Sequence, residues 1–193
     1  MTRALSAVLA IALLAAGCAG TQRDAAPPNQ RKQERLAVVR VDPAGAVAIL
    51  NAYRAGKGLG PVRLDPTLTT MAQRQSDAMA ASDSLSHDAA GSFTSRVHAA
   101  GLDSVRAAEN LGAGYFSTEE AFTGWKKSSG HEVNLVMPEA TRVGIALAKN
   151  PQTRYGAWWT LVLAAEPEKR RELSAGPLVP VRGNTTFRWG AQL

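Results

Sequence analysis

The chain has 193 residues, with 22 Lys and Arg against 16 Asp and Glu, a formal charge of +6, and a single cysteine. One cysteine excludes any intramolecular disulfide, so the fold has to be held by packing. The excess charge lies on the flanks: residues 43–166 carry 11 basic and 11 acidic side chains, which gives no sign of the basic face a nucleic-acid partner would need.

Met1-Thr2-Arg3 is followed by a largely apolar run from Ala4 to Ala16. That run is shorter than the roughly 20 residues that span a bilayer, and small residues follow it, so residues 1–17 read as a signal peptide. Leu14-Ala15-Ala16-Gly17-Cys18 resembles a bacterial lipobox, in which the cysteine becomes the lipidated first residue of the mature protein. An ordinary signal peptide cut nearby is the alternative. Palmitate-type acyl chains on Cys18 would contribute about 0.8 kcal/mol per buried CH₂, enough for several chains to anchor firmly. The expectation is an exported protein, tethered by lipid to the cell membrane or outer membrane, with its domain extracytoplasmic.

Residues 18–42 turn polar and proline-containing, with Pro27-Pro28 and the run Arg31-Lys32-Gln33-Glu34-Arg35. Such a stretch buries too little apolar surface to offset its ordering entropy and reads as a flexible tether. Its basic residues suit anionic head groups or cell-wall polymers, or serve solubility alone.

One domain is expected over residues 43–166. Asp42-Pro43 and Asp65-Pro66 each place a capping acceptor before a proline at the first helical position, which predicts helices running to about Gly56 and about Ser82. A short helix is expected over 95–100, stopping at Gly101. Another begins at Ser117, where Ser-Thr-Glu-Glu makes a capping box, with Ala121, Phe122 and Trp125 on one face. Trp125 there reads as a core anchor. Residues 142–149 and 155–165, rich in Val, Ile, Leu and Trp and separated by Asn150-Pro151-Gln152-Thr153, form a hairpin pattern. Their imperfect alternation fits strands covered on both faces, and 109–115 offers a third strand. The fold class is therefore α+β, layered, with a small antiparallel sheet. Residues 167–193 read as a basic extended tail.

The polar residues with chemical capacity are spread thinly: Ser86-His87, Glu109-Asn110, Ser128-Ser129-Gly130-His131 and Asn134, with His87 and His131 each 22 residues from Glu109. No histidine has a second one within a helical turn, so a site exists only if the fold gathers these groups. Three readings stand open. His87, His131 and Glu109 suit a three-ligand Zn²⁺ site with an open water position. They also suit a polar binding site in which Glu109 fixes an imidazole tautomer, or Glu109 is structural. No serine sits in a nucleophile-elbow word, and whether the protein is an enzyme stays open.

The order and spacing of Asn51-Ala52-Tyr53-Arg54, Ser86-His87, Ala108-Glu109-Asn110-Leu111, Ser117–Trp125, Ser129-Gly130-His131, Asn134 and Val143-Gly144 resemble the CAP superfamily (SCP, cysteine-rich secretory and pathogenesis-related domains), in its cysteine-free bacterial branch. The resemblance implies a three-layer α-β-α sandwich with a small central antiparallel sheet. It also implies an open cleft lined by two histidines and two acids. His87, Glu109 and His131 match three of those positions, and the fourth acid falls on Ser128, so the tetrad is broken; Asn110 and Asn134 would support it. Two functions follow as expectations. One is a non-enzymatic module presenting this cleft to a lipid, glycan or protein of the envelope or surroundings. The other is a metal-assisted hydrolase of peptide or cell-wall bonds. With the three groups adjacent, the Glu109 charge is expected to raise the pKa of both histidines.

Overall fold

The computed structural model describes residues 28–102 and 106–166; the expected signal peptide, Cys18 and the expected tail 167–193 lie outside them. In chain order the elements are α1 (Pro28–Val38), α2 (Pro43–Ala55), β1 (Arg63–Leu64), α3 (Pro66–Ser82), α4 (Phe93–Ala99), β2 (Ala107–Ala113), α5 (Thr118–Lys127), α6 (Ser129–Leu135), β3 (Arg142–Lys149) and β4 (Ala157–Ala164). No single helix among them is long and apolar enough to cross a membrane.

The helix starts follow their caps. Asp42 accepts from the Gly45 amide and Asp65 from the Leu68 amide, both at 3.0 Å, and each cap precedes a proline at the start of its helix. Ser117 accepts from the Glu120 amide at 3.1 Å, but the Glu120 carboxylate reaches past the cap to the Phe116 amide at 2.7 Å.

The sheet order is β1-β3-β4-β2. The three longer strands run antiparallel, as expected, while the two-residue β1 adds to β3 in parallel, so the sheet is mixed. Alternation along the central strands is sharp once both faces are considered. Val143 and Ile145 of β3 and Trp159, Leu161 and Leu163 of β4 face α1, α2, α5 and α6. Ala146, Val162 and Ala164 face α3 together with Leu68, Met71 and Ala72, and Trp158 joins Met79 on the same side. The α3 side of β3 carries small residues because that helix lies directly on it. A Cβ on Gly144 would stand 2.2 Å from the Leu68 carbonyl carbon and 2.3 Å from the Thr69 amide. Glycine is therefore required at this crossing, by close approach rather than by backbone angle.

One sequence expectation is corrected here. Within the tether expected over residues 18–42, residues 28–38 form α1, and Leu36 and Val39 are 4% and 2% exposed in the main core. The helix is tied down as well. Lys149 Nζ donates to the carbonyls of Leu36 and Val39 at 3.0 and 3.1 Å, near the α1 C-terminus, where the helix dipole favours a cation. Lys32 donates to the Thr153 carbonyl, and the Arg35 guanidinium lies 3.6 Å from the centre of the Phe116 ring. Two apolar side chains and the aliphatic stems of its cations give this polar-looking segment enough to dock.

Candidate functional site

The site forms because β2 is an edge strand. Successive side chains of a strand point to opposite faces, so Glu109 faces the α3–α4 side and Asn110 faces the α6 side. Groups from both faces can then meet around the free edge of β2. Asn134 on α6 donates to the Glu109 carbonyl at 3.2 Å and to Asn110 Oδ1 at 2.8 Å, and Asn110 Nδ2 donates to the His131 carbonyl at 3.0 Å. These bonds satisfy edge groups of β2 and brace α6, which carries His131, beside it.

The α6 helix is itself set by the word Asn51-Ala52-Tyr53-Arg54. Asn51 bonds the Val62 backbone both ways, at 2.8 and 3.0 Å, pinning α2 to the chain leading into β1. Tyr53 donates to Glu132 at 2.5 Å and Lys57 donates to the same oxygen at 2.9 Å; the tyrosine first and the lysine second hold the Glu132 carboxyl below its usual range. Arg54 is fully buried. It donates to the carbonyls of Gly60, Leu135, Met137 and Ala140, so its guanidinium gathers carbonyls just past α6.

On the other face, His87 Nδ1 lies 2.8 Å from Glu109 Oε1. A carboxylate only accepts, so Nδ1 carries the proton and a neutral His87 presents Nε2 as an acceptor outward. The His87 side chain is 56% exposed whereas that of Glu109 is 2% exposed. The principal partner of Glu109 is Arg96, a residue that sequence reasoning misses. Its guanidinium makes a bidentate pair, Nη1 to Oε2 at 2.7 Å and Nη2 to Oε1 at 2.9 Å, and also donates to the carbonyls of His87 and Gly91 at 2.8 and 3.0 Å. Gln75, buried on α3, completes the support by donating to the Ser86 carbonyl at 2.6 Å and accepting from the Ala90 amide at 3.2 Å. The 86–91 loop is thus locked to Glu109 and to α3.

His131 is half-buried and makes no bond to Glu109 among the described contacts. Burial first, and the proximity of His87 second, push its pKa below the ordinary value of about 6.5. For His131 this corrects the expectation that the carboxylate raises its pKa: Arg96 already pairs with Glu109, and His131 feels desolvation and the neighbouring imidazole instead. The linkage has a definite sign. The folded protein binds this proton less readily than the unfolded chain, so full stability from His131 is present above about pH 6.5 and is lost as pH falls through the lowered folded value. A histidine ring titration by NMR should place the His131 midpoint below about 6.5, and His87→Gln should move it part of the way back by removing the second cause.

Ser128, at the position of the missing fourth acid, sits between α5 and α6. Its carbonyl accepts from the amides of His131 and Glu132 at 3.0 and 2.7 Å, and its hydroxyl makes no capping bond. Trp125 is 1% exposed and donates to the Leu111 carbonyl at 2.7 Å, the anchor role expected of it.

Among the described residues, no group of three or more His, Cys, Asp and Glu side chains is placed to hold a metal ion. The expected zinc set of His87, His131 and Glu109 does not fit, because both Glu109 oxygens accept from Arg96. What the arrangement offers is two imidazoles, one exposed and one half-buried, over a neutralised carboxylate.

The chain is 29% identical over 116 residues to an uncharacterised protein, YkwD, of Bacillus subtilis; the match takes in 59% of this chain and 43% of that protein. Among solved structures it is similar to an extracellular SCP-domain protein of Bacillus anthracis, with a TM-score of 0.56 at 22% identity, over 74% of this chain and 45% of that one. It is also similar to an outer surface protein of Borrelia burgdorferi, with a TM-score of 0.55 at 17% identity, over 65% of this chain and 96% of that one. These structures share the fold, an α-β-α sandwich. The cysteine-rich secretory protein family model matches residues 47–163, the whole span that positions the site, and the chain belongs to this CAP family.

Proposed function

We propose that this chain is an exported, lipid-tethered CAP protein that acts as a non-enzymatic binding module, presenting the cleft at the β2 edge to a polar ligand of the envelope or its surroundings. The observation that carries the reading is the bidentate Arg96–Glu109 pair. A hydrolase built on this trio needs a carboxylate free to hold metal or move a proton, and the buried Glu109 carboxylate is committed to a guanidinium instead. What stays available is the exposed Nε2 of His87, an acceptor held at fixed orientation by Glu109, beside the half-buried His131. That pair suits recognition of hydroxyl and amide groups. The lipobox at Cys18 supports the tether, and the extracellular and outer-surface relatives of the fold accord with export.

The full chain should be incubated with purified cell-wall sacculi and, separately, with a mixed peptide substrate, each with and without added Zn²⁺. No soluble product is expected. Product release that disappears in His87→Gln would overturn the reading in favour of the hydrolase. Cys18→Ser should move the protein from the membrane to the soluble fraction, and continued sedimentation with membranes would sink the tether.

A further inference from the structure

A cavity of about 560 Å³ opens between α3 and α4, with Arg96 in its wall and neither His87 nor His131 among its lining residues. Its size falls in the ~300–1,000 Å³ range of small-molecule sites. Its apolar lining comes from Met71 and from the small side chains of Ala90, Ala99 and Ala100. The rim carries Thr67, Ser95 and Arg74.

Arg96 contributes to the wall, but its charge is cancelled by Glu109. Arg74 is exposed and has no hydrogen-bond or ion-pair partner among the described residues. The acid one turn along α3, Asp77, is held instead by Gln73 at 2.8 Å. The Thr67 and Ser95 side chains likewise have no partner among the described residues. One guanidinium without an ion-pair partner, hydroxyls without hydrogen-bond partners and a small apolar lining define a ligand by their chemistry. We infer that this cavity binds a small organic carboxylate with a compact apolar body, its carboxylate on Arg74 and its body over Met71 and the three alanines.

A carboxylate paired with an exposed guanidinium gains up to about fivefold in affinity. The test is a titration of the full chain with 3-phenylpropionate, followed by amide NMR shifts. The uncharged 3-phenylpropanol and inorganic phosphate serve as the two arms that lack charge or apolar body. Saturable shifts at Ala90, Gly91, Ala99 and Ala100 are expected with the carboxylate, with about two- to fivefold weaker binding of the alcohol. Arg74→Gln should weaken the carboxylate by the same factor and leave the alcohol unchanged. Ala99→Leu, which fills the cavity, should abolish both. Arg74 and Ala99 are exposed, so both variants should keep the wild-type amide spectrum elsewhere. Any of three results would overturn the assignment: no saturable shift at these residues, equal carboxylate binding by Arg74→Gln, or phosphate binding as tightly as phenylpropionate. None of them bears on the histidine cleft, whose reading stands or falls on its own experiment.

Discussion

Replacing Arg96 with methionine should lower the unfolding free energy by about 3–5 kcal/mol, the usual consequence of removing one partner of a buried ion pair. Glu109 is left with a desolvated carboxylate, and the exposed His87 is its remaining side-chain partner. The same change frees the carbonyls of His87 and Gly91, so the 86–91 loop should become open to limited proteolysis. The loss belongs to the stranded charge rather than to a favourable pair as such. Adding Glu109→Leu to Arg96→Met should therefore recover most of the stability while leaving His87 without its orienting partner. Urea midpoints for the wild type, both single variants and the double variant give the coupling directly. A double variant no more stable than Arg96→Met alone would mean that the loop contacts, not the carboxylate, dominate the loss.

The pair also marks the boundary of what is legible in the sequence. Helices α2, α3 and α5 announce themselves because their caps are local: an acceptor, a proline or a spaced glutamate within four residues fixes each start. The β3–β4 hairpin and the third strand are legible because strand composition and turn residues are also local. His87, Glu109, Asn110, His131 and Asn134 become a set only through the family resemblance, since their meeting depends on β2 being an edge strand around which two faces join. Arg96 carries no such signal. It lies 13 residues before Glu109 on a seven-residue helix, and a lone arginine at such a position reads as solvent-facing. One hint exists: Phe93, Val97 and Ala100 pack on the same side of that helix, which brings Arg96 towards the interior. Helix α6 is equally silent, because its cap residue Ser128 makes no side-chain bond and its position is imposed from outside by Arg54, Asn110 and Tyr53.

Helix α1 is hidden in the sequence for a related reason, and removing it should have the second large effect. A chain beginning at Asp42 should be less stable than one beginning at Pro28 by roughly 3–6 kcal/mol, since Leu36 and Val39 are each almost fully buried and such side chains contribute about 1.5–3 kcal/mol apiece. Those figures use an extended unfolded chain and so bound the effect from above. Leu36 packs against the backbone at Gly156, where a Cβ would stand 2.9 Å from its Cδ1, so truncation uncovers the turn between β3 and β4 as well. Lys149 would lose its two carbonyl acceptors, but it reaches water and adds little to the loss. In the full-length chain, Leu36→Ala alone should cost about 2–5 kcal/mol, whereas Gln33→Ala on the exposed side of the same helix should stay within about 0.5 kcal/mol. That contrast separates docking from any general effect of altering the segment. Equal urea midpoints for chains beginning at 28 and 42 would show that α1 adds nothing to the core, and the tether would then extend to Asp42.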